Sequence, residues 1–262
     1  MKNLDSKILS LLNELKDVYA IQSLKAEFEA EGASFDDVLL LKQYAEFAGL
    51  GLTLKIGGCE AVRDIIEAKK IGVDVIVAPM IESVYALKKF VLAVKSIYSD
   101  SVLPKLFINV ETITAISNFD EIIGSECFKF IDGVVIGRTD LLGSMNLSSL
   151  DSDINLIFDL TNDIAQKVQN LGKEFIVGGN IVANSKEFLK DLSYLSSFET
   201  RKIVFDVSVL NTNYLADGIN KALEFEILWL ENKSVLQNGI SEMDQKRLAV
   251  LKERYQSCFE KV

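Results

Sequence analysis

Seven short apolar runs, beginning near residues 24, 52, 74, 105, 132, 174 and 202, are each followed by a segment of helical spacing. This alternation limits the fold more than any other feature. Parallel strands cannot be joined by a tight turn and need a crossover, so repeated strand–helix units build a parallel sheet with helices outside it. The runs Leu106–Val110 and Val134–Ile136 are β-branched without helical period, as expected of strands buried on both faces. No long Gly/Ser/Pro linker interrupts the pattern. A single domain over 1–262 is therefore expected.

Sustained over 262 residues with 49% hydrophobic composition, the pattern predicts an α/β fold of the TIM (β/α)8 barrel type, which needs about 250 residues. Seven strands are marked; the eighth is expected near the N-terminus or near residue 210. Residues 5–19 carry Ile8, Leu9, Leu11, Leu12 and Leu15 on one stripe, predicting an N-terminal amphipathic helix within residues 1–20. From 211 onward the chain reads as helical. Leu215–Asn232 is broadly apolar, and Ser241 caps a last helix running to about Cys258. These flanking helices are expected to pack on the barrel or on a second copy, which predicts a homo-oligomer.

The stretch 105–145 carries the chemistry. Leu106–Val110 ends at Glu111, and Val134–Ile136 leads through Gly137 to Asp140. In a strand–helix–strand unit both strand ends lie on one rim of the sheet, where α/β folds place their sites. Neighbouring strands can thus present Glu111 and Asp140 to one cation, and hard ions such as Mg²⁺ or Mn²⁺ prefer such oxygen ligands. Alternation sends Asn109 to the same side as Glu111. Taken singly, Glu111 reads as the start of a helix and Asp140 as the close of a turn; as a pair, with Gly137 and Gly143 opening space, they read as a site.

The formal charge of −10 argues against nucleic acid and anionic membrane as partners. No apolar stretch approaches a membrane span, and the N-terminus mixes Lys, Asp and Glu with its Leu residues rather than forming a signal core, so a cytoplasmic location is expected. Cys59, Cys127 and Cys258 show no Cys-x-x-Cys spacing and read as buried thiols. The sequence contains no histidine. That excludes Ser-His-Asp and Cys-His catalysis and imidazole ligation, leaving acid/base work to carboxylates, Lys, Tyr or water.

Ser23–Gly32 alternates strictly, putting Glu27, Glu29 and Glu31 on one face. Facing solvent, the row would be a solubilising edge; facing into a barrel, it is costly unless satisfied, and the last of the three then serves a site. Leu52–Gly58 carries Lys55 in an apolar strand, so the ammonium needs an anionic partner, either an internal carboxylate or a substrate carboxylate. The strand Glu174–Asn180 contains Gly178-Gly179, which either admits a ligand or makes a tight bend, with Asn180 as a polar group at its end. Lys202–Leu210 reads as the seventh strand, with Asp206 towards its end.

With these residues in view, the chain resembles the HpcH/HpaI aldolase and citrate lyase β-subunit family of phosphoenolpyruvate/pyruvate-binding barrels, over roughly residues 24–210. Ile108-Asn-Val-Glu-Thr112 and Asp132–Leu141 are similar to the family segments supplying a Glu and an Asp to Mg²⁺ or another divalent cation, and Asp74–Met80 is similar as well. The resemblance implies a metal role for Glu111 and Asp140, with Asn109 where Gln is usual. Three departures stand out. The family's Asp-His proton shuttle has no counterpart, Lys55 stands for a substrate-binding Arg, and Arg138 occupies a position usually held by Pro or a small residue.

The resemblance thus implies a metal-dependent carbon–carbon lyase of aldolase type, acting on a pyruvate-like 2-oxo acid through a metal-stabilised enolate. Lys55, Arg138, Asn109 and Asn180 would bind substrate, and Glu29 or Glu31, with Lys55, would replace the missing base. Two other readings are a citrate-lyase-like acyl-thioester lyase and a non-catalytic barrel binding an anionic metabolite within a biosynthetic complex.

Overall fold

In the computed structural model, which describes residues 2–148 and 155–259, eight strands close into a barrel in chain order. They are β1 (Ile21–Glu27), β2 (Gly51–Lys55), β3 (Val75–Ala78), β4 (Lys105–Val110), β5 (Gly133–Gly137), β6 (Glu174–Gly178), β7 (Ser197–Glu199) and β8 (Ile203–Asp206). The helices are α1 (Lys2–Tyr19), α2 (Phe35–Ala48), α3 (Val62–Ile71), α4 (Val84–Ile97), α5 (Ile113–Ser117), α6 (Phe119–Gly124), α7 (Arg138–Ser144), α8 (Asn155–Asn170), α9 (Lys186–Asp191), α10 (Leu215–Leu236) and α11 (Glu242–Phe259). The Ser- and Asp-rich loop expected after Met145, and the expected helix start at Asp153, reach into 149–154, outside the described residues.

Local chemistry sets the boundaries. Ser34 and Asp37 form a reciprocal capping box at the start of α2, and Gly49 ends it in the left-handed region at φ 65°, where a side chain would be strained. Ser83 and Thr112 cap α4 and α5 through their hydroxyls. On α1, Ile8, Leu12 and Leu15 are fully buried, and Tyr19 meets Tyr214 edge-on at the foot of α10. Among the described residues no helix is long and apolar enough to cross a membrane.

The TIM-like barrel is present, and its last stave differs from expectation. Strands β1 to β7 run parallel, but β8 is antiparallel to both β7 and β1. Only Thr200, Arg201 and Lys202 separate β7 from β8, too few for a crossover, so the chain must return as a hairpin. The expected strand Lys202–Leu210 is therefore β8 followed by a 3-10 turn over Val207–Asn211, and the remaining strand is β7. Because β8 runs downward, Asp206 lies at the floor, where it accepts from Ser208 N (2.8 Å) and Gln22. The expected long first strand is also shorter, ending at Glu27, so Glu29 and Glu31 sit in the following loop.

The barrel interior is layered. Val75, Val77, Phe107, Val135 and Ile176 pack together as an apolar plug, apart from the larger core between strands and helices. Gly133 makes room for it, since a Cβ there would lie 2.7 Å from the Phe107 ring. Above the plug the lining becomes charged. Cys59 and Cys127 are free, partly buried thiols; the Cys258 side chain lies outside the described residues.

Candidate active site

At the top of β4 the inward alternation Phe107, Asn109, Glu111 carries the lining from plug to mouth. Glu111 is 1% exposed. Its Oε1 accepts from Met80 N (3.0 Å), while Oε2 accepts from Asn109 Nδ2 (2.7 Å) and Lys55 Nζ (3.1 Å). Two local features make this possible. Met80 adopts φ 51°, a region disfavoured for a side chain of its size, which fits a backbone held by its surroundings to aim N–H at the carboxylate. Gly137 leaves the space: a Cβ there would sit 2.7 Å from Glu111 Oε2.

Asp140 comes from the first turn of α7, just past Gly137. Its carboxyl lies beside that of Glu111, and its pKa is raised, first by burial and then by the neighbouring Glu111 charge, with Lys55 opposing. Two carboxyls this close each disfavour the other's charged form. Lys55 completes the cluster by reaching Glu29 Oε2 at 2.7 Å. Burial pulls its pKa down, but Glu111 and Glu29 outweigh that and raise it; the ammonium is charged.

A second charged group fills the other half of the mouth. Lys25 pairs with Glu27 (3.0 Å) and with Glu199 at the end of β7. Burial acts to raise the Glu27 pKa, but Lys25, then Lys55 and Arg201, bring it down to about 2. The Lys25 pKa is raised by Glu199 and Glu27 against the effect of burial. Gly178 admits Glu199, since a Cβ there would lie 2.8 Å from Oε1. Sequence reasoning missed Lys25 and Glu199. Lys25 shares the parity of Glu27 and was findable; Glu199 lies on a strand of three residues and carried no signal.

Residues 56–191, just over half the chain, match the sequence pattern of HpcH/HpaI aldolase/citrate lyase. The chain belongs to this family. No curated protein matches it. Among solved structures it is similar to an HpcH/HpaI aldolase from Desulfitobacterium hafniense DCB-2 (TM-score 0.60, 15% identity, 84% of this chain and 89% of that one). It is also similar to an HpcH/HpaI aldolase/citrate lyase family protein from Burkholderia cenocepacia J2315 (0.59, 14%, 84% and 89%). A third likeness is to the citrate synthase SbnG (0.57, 15%, 83% and 89%). At such identities the likeness is one of fold. The family match spans Asn109, Glu111 and Asp140 but excludes β1, Lys55 and the β7–β8 hairpin.

The structure thus brings Glu29, Lys55, Asn109, Glu111 and Asp140 together, and leaves three expected site residues elsewhere. Glu31 turns to Arg201 (3.1 Å) and Lys202. Arg138, expected as a rim cation, is fully buried. It donates from Nε and Nη2 to the Gly179 carbonyl (3.1 and 2.8 Å) and from Nη2 to that of Asn180 (3.2 Å), with its guanidinium 4.5 Å from the Phe188 ring centre. As the first residue of α7 it braces the loop after β6 instead of meeting a substrate. Asn180 enters that brace through its carbonyl and has φ 51°. Gly178 and Gly179 serve the protein's own packing: Gly179, at φ 80°, passes the Arg138 and Thr139 backbone too closely for a Cβ.

The donor set fits a hydrated hard cation. Glu111 Oε1 accepts one hydrogen bond, from Met80 N–H, so it retains acceptor capacity beside the Asp140 carboxyl. Mg²⁺-type ions bind through one or two carboxylates and keep several waters. Among the described residues no group of three or more His, Cys, Asp and Glu is arranged for a metal, which disfavours a closed zinc-like cage. The orphaned Asn109 Oδ1, buried without a hydrogen-bond partner, adds a further acceptor to the same side chain cluster.

Proposed function

We propose that the chain is a metal-dependent carbon–carbon lyase of aldolase type acting on a pyruvate-like 2-oxo acid. The observation that carries this reading is the meeting of Glu111 and Asp140 side by side at the barrel mouth, with the charged Lys55 bonded to Glu111. Glu111 and Asp140 would hold Mg²⁺ or Mn²⁺. When bound, such an ion supplies positive charge against the oxo-acid oxygens, where negative charge accumulates as the carbon–carbon bond is made or broken.

The chain's own residues supply the rest. Lys55 places a fixed ammonium beside the carboxylate pair and attracts the substrate carboxylate. Asn109 orients Glu111 through Nδ2. Glu29, on the loop after β1 with its side chain 26% exposed, can reach both Lys55 and solvent, which suits a group that accepts a proton from substrate and passes it to water. It takes the place of the absent histidine shuttle. Arg138 and Asn180 have no direct part in this scheme.

The test is turnover. Pyruvate release or consumption should require added Mg²⁺ or Mn²⁺, vanish in Glu111→Gln, and fall by about 10²–10⁴ in Glu29→Gln, the range for loss of a general base. Full activity in Glu111→Gln overturns the proposal. One observation favours the non-catalytic reading: Lys55 and Lys25 are already paired with the barrel's own carboxylates. Ligand-induced melting shifts without turnover would select it.

A further inference from the structure

Away from the mouth, a partly closed cavity of about 260 Å³ lies between the outer side of β1, α2, α10 and α11. At roughly 30 Å³ per liquid water, it has room for about nine waters, or one ring with a head group. Its apolar walls include Val38, Leu41, Leu230 and Trp229. Four acids and four bases share the lining, several of them deeply buried: Lys202 and Glu226 are each 5% exposed. Burying ions around a space that apolar side chains do not fill costs desolvation without a packing return, a pattern more usual in binding sites than in structural cores.

Hydrogen-bond capacity indicates the ligand's chemistry. Both Glu226 oxygens are taken by Arg247 (2.9 and 3.1 Å), and both Glu31 oxygens by Arg201 and Lys202. Lys233 is shared by Asp37 (3.2 Å) and Asp244 (3.0 Å). Every one of these carboxylates already has a cation beside it, whereas Arg201 bonds through Nε alone, so its two terminal amino groups meet no acceptor among the described residues, and a guanidinium has five N–H groups to place. The Arg201 side chain is 35% exposed, and Met243, half-exposed, stands at the cavity edge.

We propose that this cavity is a second binding site, taking a small organic anion with a carboxylate or phosphate head on Arg201 and a flat apolar body against Trp229. A planar fork with unfilled donors is suited to such oxygens. The proposal is independent of the aldolase reading, since none of these residues belongs to the Glu111–Asp140 cluster.

The chain has one tryptophan, and it lines this cavity, so its emission reports on the site directly. Phenyl phosphate, benzoate, inorganic phosphate and phenol would each be titrated into the full-length protein. Saturable change is expected with phenyl phosphate or benzoate, the tighter of them naming the head group. Inorganic phosphate and phenol should bind at least about tenfold more weakly, a difference of about 1.4 kcal/mol. Arg201→Gln and the cavity-filling Ala33→Phe should each weaken binding by about the same factor, whereas Glu111→Gln should bind as the unaltered chain does. The proposal is overturned if no probe gives a saturable signal, if phenol binds as well as phenyl phosphate, or if folded Ala33→Phe binds unchanged. Should both cavity variants fail to fold, the four-probe comparison on the unaltered protein still decides.

Discussion

Lys55 and Lys25 divide the mouth of the barrel between them, each held by two carboxylates from different strands or loops. Glu111 and Asp140 were legible in the sequence because each follows an apolar run at a strand end, where topology alone fixes the rim. Arg138 was not, because its direction depends on α7 starting at that residue. Two predictions belong at this scale. Glu27 has a folded pKa of about 2 against an ordinary value of 4.5, so it contributes stability above pH 4.5 that is lost as pH falls towards 2. Urea midpoints at pH 5 and pH 3 should therefore converge in Glu27→Gln, which should be the less stable protein at pH 5. Gly137→Ala drives a methyl against Glu111; it should weaken Mn²⁺ binding by about 10–100-fold for about 1–3 kcal/mol of stability, measured by calorimetry and thermal melts.

Among the elements, the β7–β8 hairpin departs furthest from expectation. Three residues are too few for an alternation to register, so β7 carries no signal and the eighth strand is expected near the N-terminus or residue 210 instead. The signal of β8 runs without interruption into the 3-10 turn, so the expected strand Lys202–Leu210 overruns it. The reversal brings Glu199 to the mouth and Asp206 to the floor, and it sends Lys202 outward while its carbonyl accepts from Lys25 N at 2.9 Å. The β6 loop and α7 are joined in the same manner by Arg138. Replacing it with Met would leave the Gly179 and Asn180 carbonyls without their donor, at a cost of about 2–5 kcal/mol, or roughly 5–15 °C in Tm for a chain of this size. Arg138→Lys should recover only part of that loss, because an ammonium lacks the planar fork.

Across the whole molecule, the period of strand and helix was enough to read a closed barrel with helical ends, since few other architectures bury so many parallel strands. Less legible was the barrel's interior, where side chains from strands distant in sequence meet: an apolar plug below and alternating lysines and carboxylates above. In that upper layer the Glu111 charge helps to raise the Asp140 pKa, and a divalent ion held between the two carboxylates would relieve that repulsion. The most direct measurement is Mn²⁺ titration followed by electron paramagnetic resonance on the full-length protein and on Glu111→Gln and Asp140→Asn. One Mn²⁺ per chain, with affinity falling by about a hundredfold or more in either variant, is the predicted result. Absent binding, or binding that survives both substitutions unchanged, would contradict a shared metal site.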